Sequence, residues 1–318
     1  MLPDVALLGT FDFYLDGARI GAWHTLVHVC QKWRKLVFGS PRRLDLKLQF
    51  DSTTRIWEAD HIWPPLPISI SVFNRGIKFI TRILSTLEEN DRIRELSLWR
   101  VPSDQLDEIL DAMQQPYPEL THLTLEPGDE KASNVPALFL GGSAPRLRDL
   151  RFYHIRYPEL PDLLLSATHL VHLQLVQIPH LGYISPDAMA TCLSVLTKLE
   201  TLILSFGSPQ TRRERKSRPP VHALLPVLTK LHFIGLGKYL EDLVVRIDAP
   251  LLADLDIKFF HQSTFDTPKL SQFIRRTPTF KAHDEKDVVF SRQDVSVTLP
   301  RTFDGKLDVK ILQEGRLF

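Results

Sequence analysis

The sequence predicts an α/β protein in which a short all-helical N-terminal module precedes a long repeat array built on a mostly parallel sheet. Two periodicities carry this. Apolar residues up to about residue 40 recur at helical spacing, whereas beyond residue 60 a short strand pattern, apolar-x-x-apolar-x-apolar, returns about every 26 residues. A length of 318 residues suits one small unit plus one larger one.

In the module, Leu26, Val29, Cys30, Trp33 and Val37 fall at i, i+3, i+4, i+7 and i+11, which builds one apolar stripe on a single helix. Gly39 can cap that helix and Pro41 prevents its continuation. An earlier helix begins around Pro3, with Leu7, Leu8, Phe11 and Leu15 as its stripe. A unit of about 50 residues buries too little to be very stable alone, so it must lean on a partner or on the rest of the chain.

The strand pattern appears as "IRELSL", "LTHLTL", "LRDLRF", "LVHLQL" and "LETLIL", with weaker copies in "LHFIGL" and "LADLDI". Their first residues are Ile93, Leu120, Leu147, Leu170, Leu199, Leu231 and Leu252. Between them, "SDQLDEILDAM" reads as a helix with Ser103 as N-cap, and "SPDAMATCLSVL" as one capped by Ser185; "IKFITRILSTL" and "YLEDLVVRI" read likewise. This period and pattern match leucine-rich repeats, whose units stack into a curved solenoid. The expected organisation is a helical module over 1–50, a linker over 51–65, repeats over 66–277 and a β-rich cap over 278–318, where "DVVFSRQDVSVTLP" and "KLDVKILQ" alternate apolar and polar residues. "ISISVF" supplies a first capping strand, and "SPQTRRERKSRPP" reads as an exposed insertion.

In each strand the two L-x-L apolar residues point inward, and the residues between and after them point out. The outward row therefore runs Ser97 and Trp99, Thr124 and Glu126, Arg151 and Tyr153, Gln174 and Val176, Ile203 and Ser205, then Asp256 and Lys258. Trp99, Arg151 and Tyr153 are its expected anchors, because Trp, Tyr and Arg dominate binding hot spots.

Composition narrows the function classes. Thirty-nine Lys and Arg against 38 Asp and Glu leave a net charge of +1, so no global field attracts nucleic acid or membrane. Two cysteines exclude a disulfide framework or a Cys-rich zinc motif and make a reducing compartment the default. The first residues lack the charged start and cleavage site of a signal peptide, and no apolar run approaches a membrane span. The expected location is cytoplasmic, nuclear or both.

His24, His28 and Cys30 could suggest a zinc site, yet Cys30 belongs to the apolar stripe and no second ligand cluster lies close by; no metal is expected. Lys32, Arg34, Lys35, Arg42 and Arg43 read as solvated shoulders rather than a nucleic-acid grip, and the run from Arg212 to Arg218 reads as a nuclear localisation signal or, at least as readily, as a basic solvated loop. Neither a Gly-rich phosphate loop nor a nucleophile elbow is present, and "LGGSAP" reads as a turn, so no cofactor and no catalytic activity are expected.

The start "LPDVALLGTFDFYL" followed by "LVHVCQKWRKLV" resembles the F-box: Leu-Pro, paired apolar residues, a Phe, then Val-Cys-x-x-Trp-Arg. Gly9 and Thr10 depart from it, standing where charged and apolar residues are usual. "FGSPRRLDLKL" and "IWPPLP" look like the F-box proteins abundant in mushroom-forming fungi, which carry degenerate leucine-rich repeats behind the box. The resemblance implies a non-catalytic substrate receptor of a cullin-RING (SCF-type) ubiquitin ligase. Leu2, Pro3, Leu7, Leu8, Phe11, Leu26, Val29, Cys30, Trp33 and Arg34 would then bind the ligase adaptor, and through it a cullin. The repeats would present a protein target on Trp99, Glu126, Arg151, Tyr153 and Gln174. The alternative is a repeat scaffold whose degenerate F-box no longer engages the ligase.

Overall fold

A computed structural model describes residues 2–16, 23–40, 44, 46, 48–50, 66–73, 80–157, 159–209, 221–260 and 267–281. Three helices open the chain: α1 (Asp4–Asp16), α2 (Trp23–Val29) and α3 (Gln31–Gly39). Leu7, Leu8, Phe11, Trp23, Leu26, Val27 and Val37 form one core with Leu44, Leu46 and Leu66. The Phe11 and Trp33 rings meet edge to face with their centres 4.7 Å apart, a geometry that adds about 1 kcal/mol to simple burial.

The single helix expected to carry Leu26, Val29, Cys30, Trp33 and Val37 is two helices. Cys30 is extended (φ −159°, ψ 168°) at the N-terminus of α3, which breaks the stripe there. The break has a packing cause. It brings Trp23 and Phe38 to a 6.1 Å ring contact and lets both helices face one core, while Val29 and Cys30 turn outward. Arg34 holds the corner by donating from Nε to the Val27 carbonyl at 3.0 Å, a cation at the open C-terminal end of α2.

Among the described residues, nine strands form one sheet in which every pairing is parallel: β1 (Leu48–Phe50), β2 (Ile68–Phe73), β3 (Ile93–Val101), β4 (His122–Pro127), β6 (Asp149–Tyr153), β8 (His172–Ile178), β9 (Thr201–Phe206), β11 (Lys230–Gly235) and β13 (Asp254–Phe259). They lie side by side in chain order. β2 is thus the second strand and not the cap expected of it, because β1 pairs outside it. Two short ladders stand apart, β5 (Ser133–Asn134) with β7 (Ile155–Arg156), and β10 (Ala223–Leu224) with β12 (Ile247–Asp248).

Parallel neighbours need a return crossing, and helices supply most of them. These are α4 (Ile80–Leu87), α5 (Ser103–Ala112), α6 (Leu160–Ser166), α7 (Pro186–Leu193) and α8 (Gly237–Val244), with α9 (Pro268–Arg276) and α10 (Pro278–Lys281) following β13. Inward strand residues such as Leu96, Leu98, Leu123, Leu150, Leu173 and Leu202 share one continuous core with Leu106, Leu163, Met189, Leu240 and Phe273 of these helices.

The layers are tied by a repeated bond at the strand entrances. The backbone N–H groups of Thr121, Arg148, Val171, Glu200, Thr229 and Ala253 each donate to the equivalent carbonyl one layer earlier, at 2.7 to 2.9 Å. A tight turn recurs just before each: Leu120, Leu147, Leu170, Leu199, Leu228 and Leu252 donate to the carbonyl three residues back, and Phe280 does so once more.

That turn corrects one register. "LHFIGL" was expected to point Leu231, Ile234 and Leu236 inward, but Leu231 pairs with Leu202 and Leu255, and Phe233 with Leu204 and Ile257. The unit therefore starts at Leu228, and Ile234 faces out opposite Ser205 and Lys258. Phe233 and Ile234 are both apolar, so hydrophobicity alone does not decide the phase.

Ser185 caps α7 by accepting from the Ala188 N–H. Ser103 does not cap α5: Pro102 holds that position, and the buried Ser103 hydroxyl donates instead towards Asp129 and the Lys131 carbonyl in the next layer. Pro278–Lys281 is helical where β structure was expected, because it repeats the layer-entry turn; residues 282–318 lie outside the described residues. The linker 51–65 and the basic run 212–218 also lie outside them. No helix among the described residues is long and apolar enough to cross a membrane.

Candidate functional site

Two surfaces collect the residues singled out from sequence. On the helical module, Leu7, Leu8, Phe11 and Leu26 turn inward and are the module's core, not its surface. Trp33 is half-buried against Phe11, and Arg34 braces α2 as described. Leu2, Pro3, Val29 and Cys30 are exposed. Lys32 ties the start of the chain to α3, since its ammonium reaches Asp4 at 2.9 Å and the Leu2 carbonyl at 3.3 Å.

α1 adds three exposed apolar residues that the stripe analysis missed, Val5 (73% exposed), Phe13 (86%) and Tyr14 (44%). Val5, Gly9 and Phe13 stand at i, i+4 and i+8, one face of the helix. A surface helix normally keeps one polar face. Here the outer face is almost as apolar as the inner one, and Gly9 leaves open space at its centre.

The second surface is the sheet face turned away from the helices. The registers align Ser71, Ser97, Thr124, Arg151, Gln174, Ile203, His232 and Asp256 as one row across eight strands. Two positions further on, Phe73, Trp99, Glu126, Tyr153 and Val176 form a second row; it lies at the carboxyl ends of the strands.

Trp99, Glu126, Arg151, Tyr153 and Gln174 therefore share one face. Trp99 and Tyr153 reach over β4 to bring their rings within 5.7 Å. The Tyr153 hydroxyl donates to Gln174 Oε1 at 3.4 Å. Arg151 binds Asp149 through two parallel bonds, Nε to Oδ1 at 2.7 Å and Nη2 to Oδ2 at 2.6 Å. The hydrogen-bonded Asp149 carboxylate raises the Arg151 pKa further, and partial burial raises that of Tyr153 despite the nearby guanidinium.

Three residues at this edge hold left-handed backbone without being glycine: Arg100 (φ 54°), His154 (φ 55°) and Gln177 (φ 53°). Each follows an outward residue and precedes an inward one, Val101, Ile155 and Ile178. Each therefore adds a second outward side chain before the strand re-enters the core, at a cost of about 1 kcal/mol. The signal was readable, since Leu98 to Val101, Phe152 to Ile155 and Leu175 to Ile178 are spaced by three and not two. Through this device Arg100 reaches Glu126 (Nε to Oε1, 3.7 Å) and lies 5.6 Å from the Phe73 ring centre.

Further along the face, Lys230 pairs with Asp254 at 2.9 Å, and His232 lies 2.7 Å from Asp256. Most charges on the face thus have opposite charges beside them, an arrangement suited to a protein surface rather than a polyanion. No family model matches the chain, and no curated protein matches it either. Among the described residues no group of three or more His, Cys, Asp or Glu side chains converges as a metal site.

Proposed function

We propose that the chain is a substrate receptor of a cullin-RING ubiquitin ligase: residues 1–50 form an F-box that docks on the adaptor, and a leucine-rich-repeat solenoid behind it presents a protein target. The observation that carries this reading is the apolar outer face of α1, Val5 and Phe13, together with the exposed Leu2, Val29 and Cys30 elsewhere on the module. An exposed apolar patch on so small a module marks a partner site. The box-pattern residues divide the labour: Leu7, Leu8, Phe11 and Leu26 hold the module together, and the remaining exposed ones meet the partner.

The sheet face turned away from the helices, with its aromatic and arginine side chains, is the surface that supports the presenting role. Affinity purification of the full chain and of its Val5→Asp variant from cells tests the reading. The adaptor and a cullin co-purify with the parent and are lost from the variant. A folded parent chain that captures neither contradicts it.

A further inference from the structure

The cluster of Phe73, Trp99, Arg100, Glu126 and Tyr153 has an internal occupant. Arg100 is held in strained left-handed backbone, its guanidinium over the Phe73 ring and at 3.7 Å from Glu126. Its side chain is half exposed, at 53%, whereas Glu126 is more covered, at 25%. Trp99 and Tyr153 flank Glu126 on the neighbouring strands. A planar cation over an aromatic ring with a carboxylate at its edge is the geometry of arginine recognition.

Arg100 contributes little to the fold through this contact, because a long, exposed ion pair is worth about 0 to 1 kcal/mol. Its carbonyl, by contrast, is fixed: a Cβ on Gly128 would lie 2.4 Å from it. The backbone is thus locked and the side chain is loose.

We propose that this cluster is a recognition slot for an arginine of a basic, extended segment in the protein target, and that Arg100 fills the slot until the target displaces it. The proposal rests on the reading that this sheet face receives the target. It adds the chemistry of what is read, a guanidinium seated between the Phe73 ring and the Glu126 carboxylate.

The test titrates the full-length protein with acetylated, amidated nonapeptides of Gly and Ser that carry a central Arg, Lys, Gln or Glu. The reporter is the indole N–H resonance of Trp99, assigned by its loss in Trp99→Phe. The Arg peptide gives a saturating shift, the Lys peptide a weaker one, and the Gln and Glu peptides none. Arg100→Gly removes the competitor and relieves the positive φ, so it tightens Arg-peptide binding by about fivefold to tenfold, whereas Glu126→Gln weakens it about tenfold. Equal shifts with the Gln or Glu peptide, no shift with the Arg peptide, or weaker binding by Arg100→Gly overturns the slot. Adaptor capture reads the α1 face and is unaffected by that failure, so the two outcomes are separable.

Discussion

Arg151 meets the buried carboxylate of Asp149 through two parallel hydrogen bonds, so the cation of β6 on the sheet face turned away from the helices is anchored from within its own strand. Asp149 is 5% exposed and would be left without its cation if Arg151 were cut back. Arg151→Ala is expected to cost about 2–3 kcal/mol, and the Asp149→Ala/Arg151→Ala double variant less than the sum of the singles by about 1–2 kcal/mol. Urea unfolding of the four proteins measures this; additive losses would show that the pair is not coupled.

Glu241 of α8, itself buried, accepts from the backbone N–H groups of Lys269 at 3.0 Å and Leu270 at 2.8 Å, and so satisfies the first turn of α9 from the preceding layer. Glu241→Ala leaves those donors without their acceptor and is expected to cost about 2 kcal/mol. Hydrogen exchange locates the damage: the amides of α9 lose protection first, while those of β6 and β8 keep theirs. Uniform loss would contradict the layered account.

The two cysteines differ in reactivity. Cys30 is exposed at the corner of α2 and α3, whereas Cys192 lies on the buried face of α7 and burial pushes its thiol up to about 12. At neutral pH Cys192 carries essentially no thiolate in the folded protein. A thiol reagent should therefore modify Cys30 alone in the native chain and both residues after unfolding, which a mass spectrum resolves. Rapid native labelling of Cys192 would show that the layer opens.

His24 gives the helical module a pH dependence. Burial lowers its pKa below the usual 6.5, and the neighbouring His28 lowers it further. The unfolded chain then binds the proton more tightly, so the contribution of His24 to stability is complete above about pH 6.5 and is lost as pH falls through the folded value. Melting between pH 7.5 and 5 follows this, and His24→Gln flattens that part of the profile. An unchanged profile in His24→Gln would remove the assignment.

Legibility in the sequence tracked how far each residue type constrained its surroundings. Leu96, Leu123, Leu150, Leu173 and Leu255 stand alone as apolar side chains between polar neighbours, so their strands and inward faces were plain. The same alternation placed Trp99, Glu126, Arg151, Tyr153 and Gln174 on one outer face. It failed at Leu231 to Ile234, where Phe233 and Ile234 compete for one inward position, and the layer-entry turn at Leu228 decides between them. In the helical module, spacing found the core residues Leu7, Leu8, Phe11 and Leu26 but not the break at Cys30. A corner set by Trp23, Phe38 and Arg34 depends on contacts between helices, which a single-helix periodicity does not contain. Phe73 was missed because its role comes from Arg100 on the neighbouring strand, which is not local in the chain, and Arg100 because the three-residue step from Leu98 to Val101, though present in the sequence, departs from simple alternation.

The receptor reading is tested most directly by calorimetric titration of the purified full-length chain with the purified adaptor. The account predicts saturable binding that Val5→Asp and Val29→Asp each weaken about tenfold or more, since each places a charge in a desolvated apolar contact. Glu126→Gln, on the sheet face, leaves it unchanged. Binding that survives both charge substitutions in folded protein, or no binding by the parent chain, would contradict it.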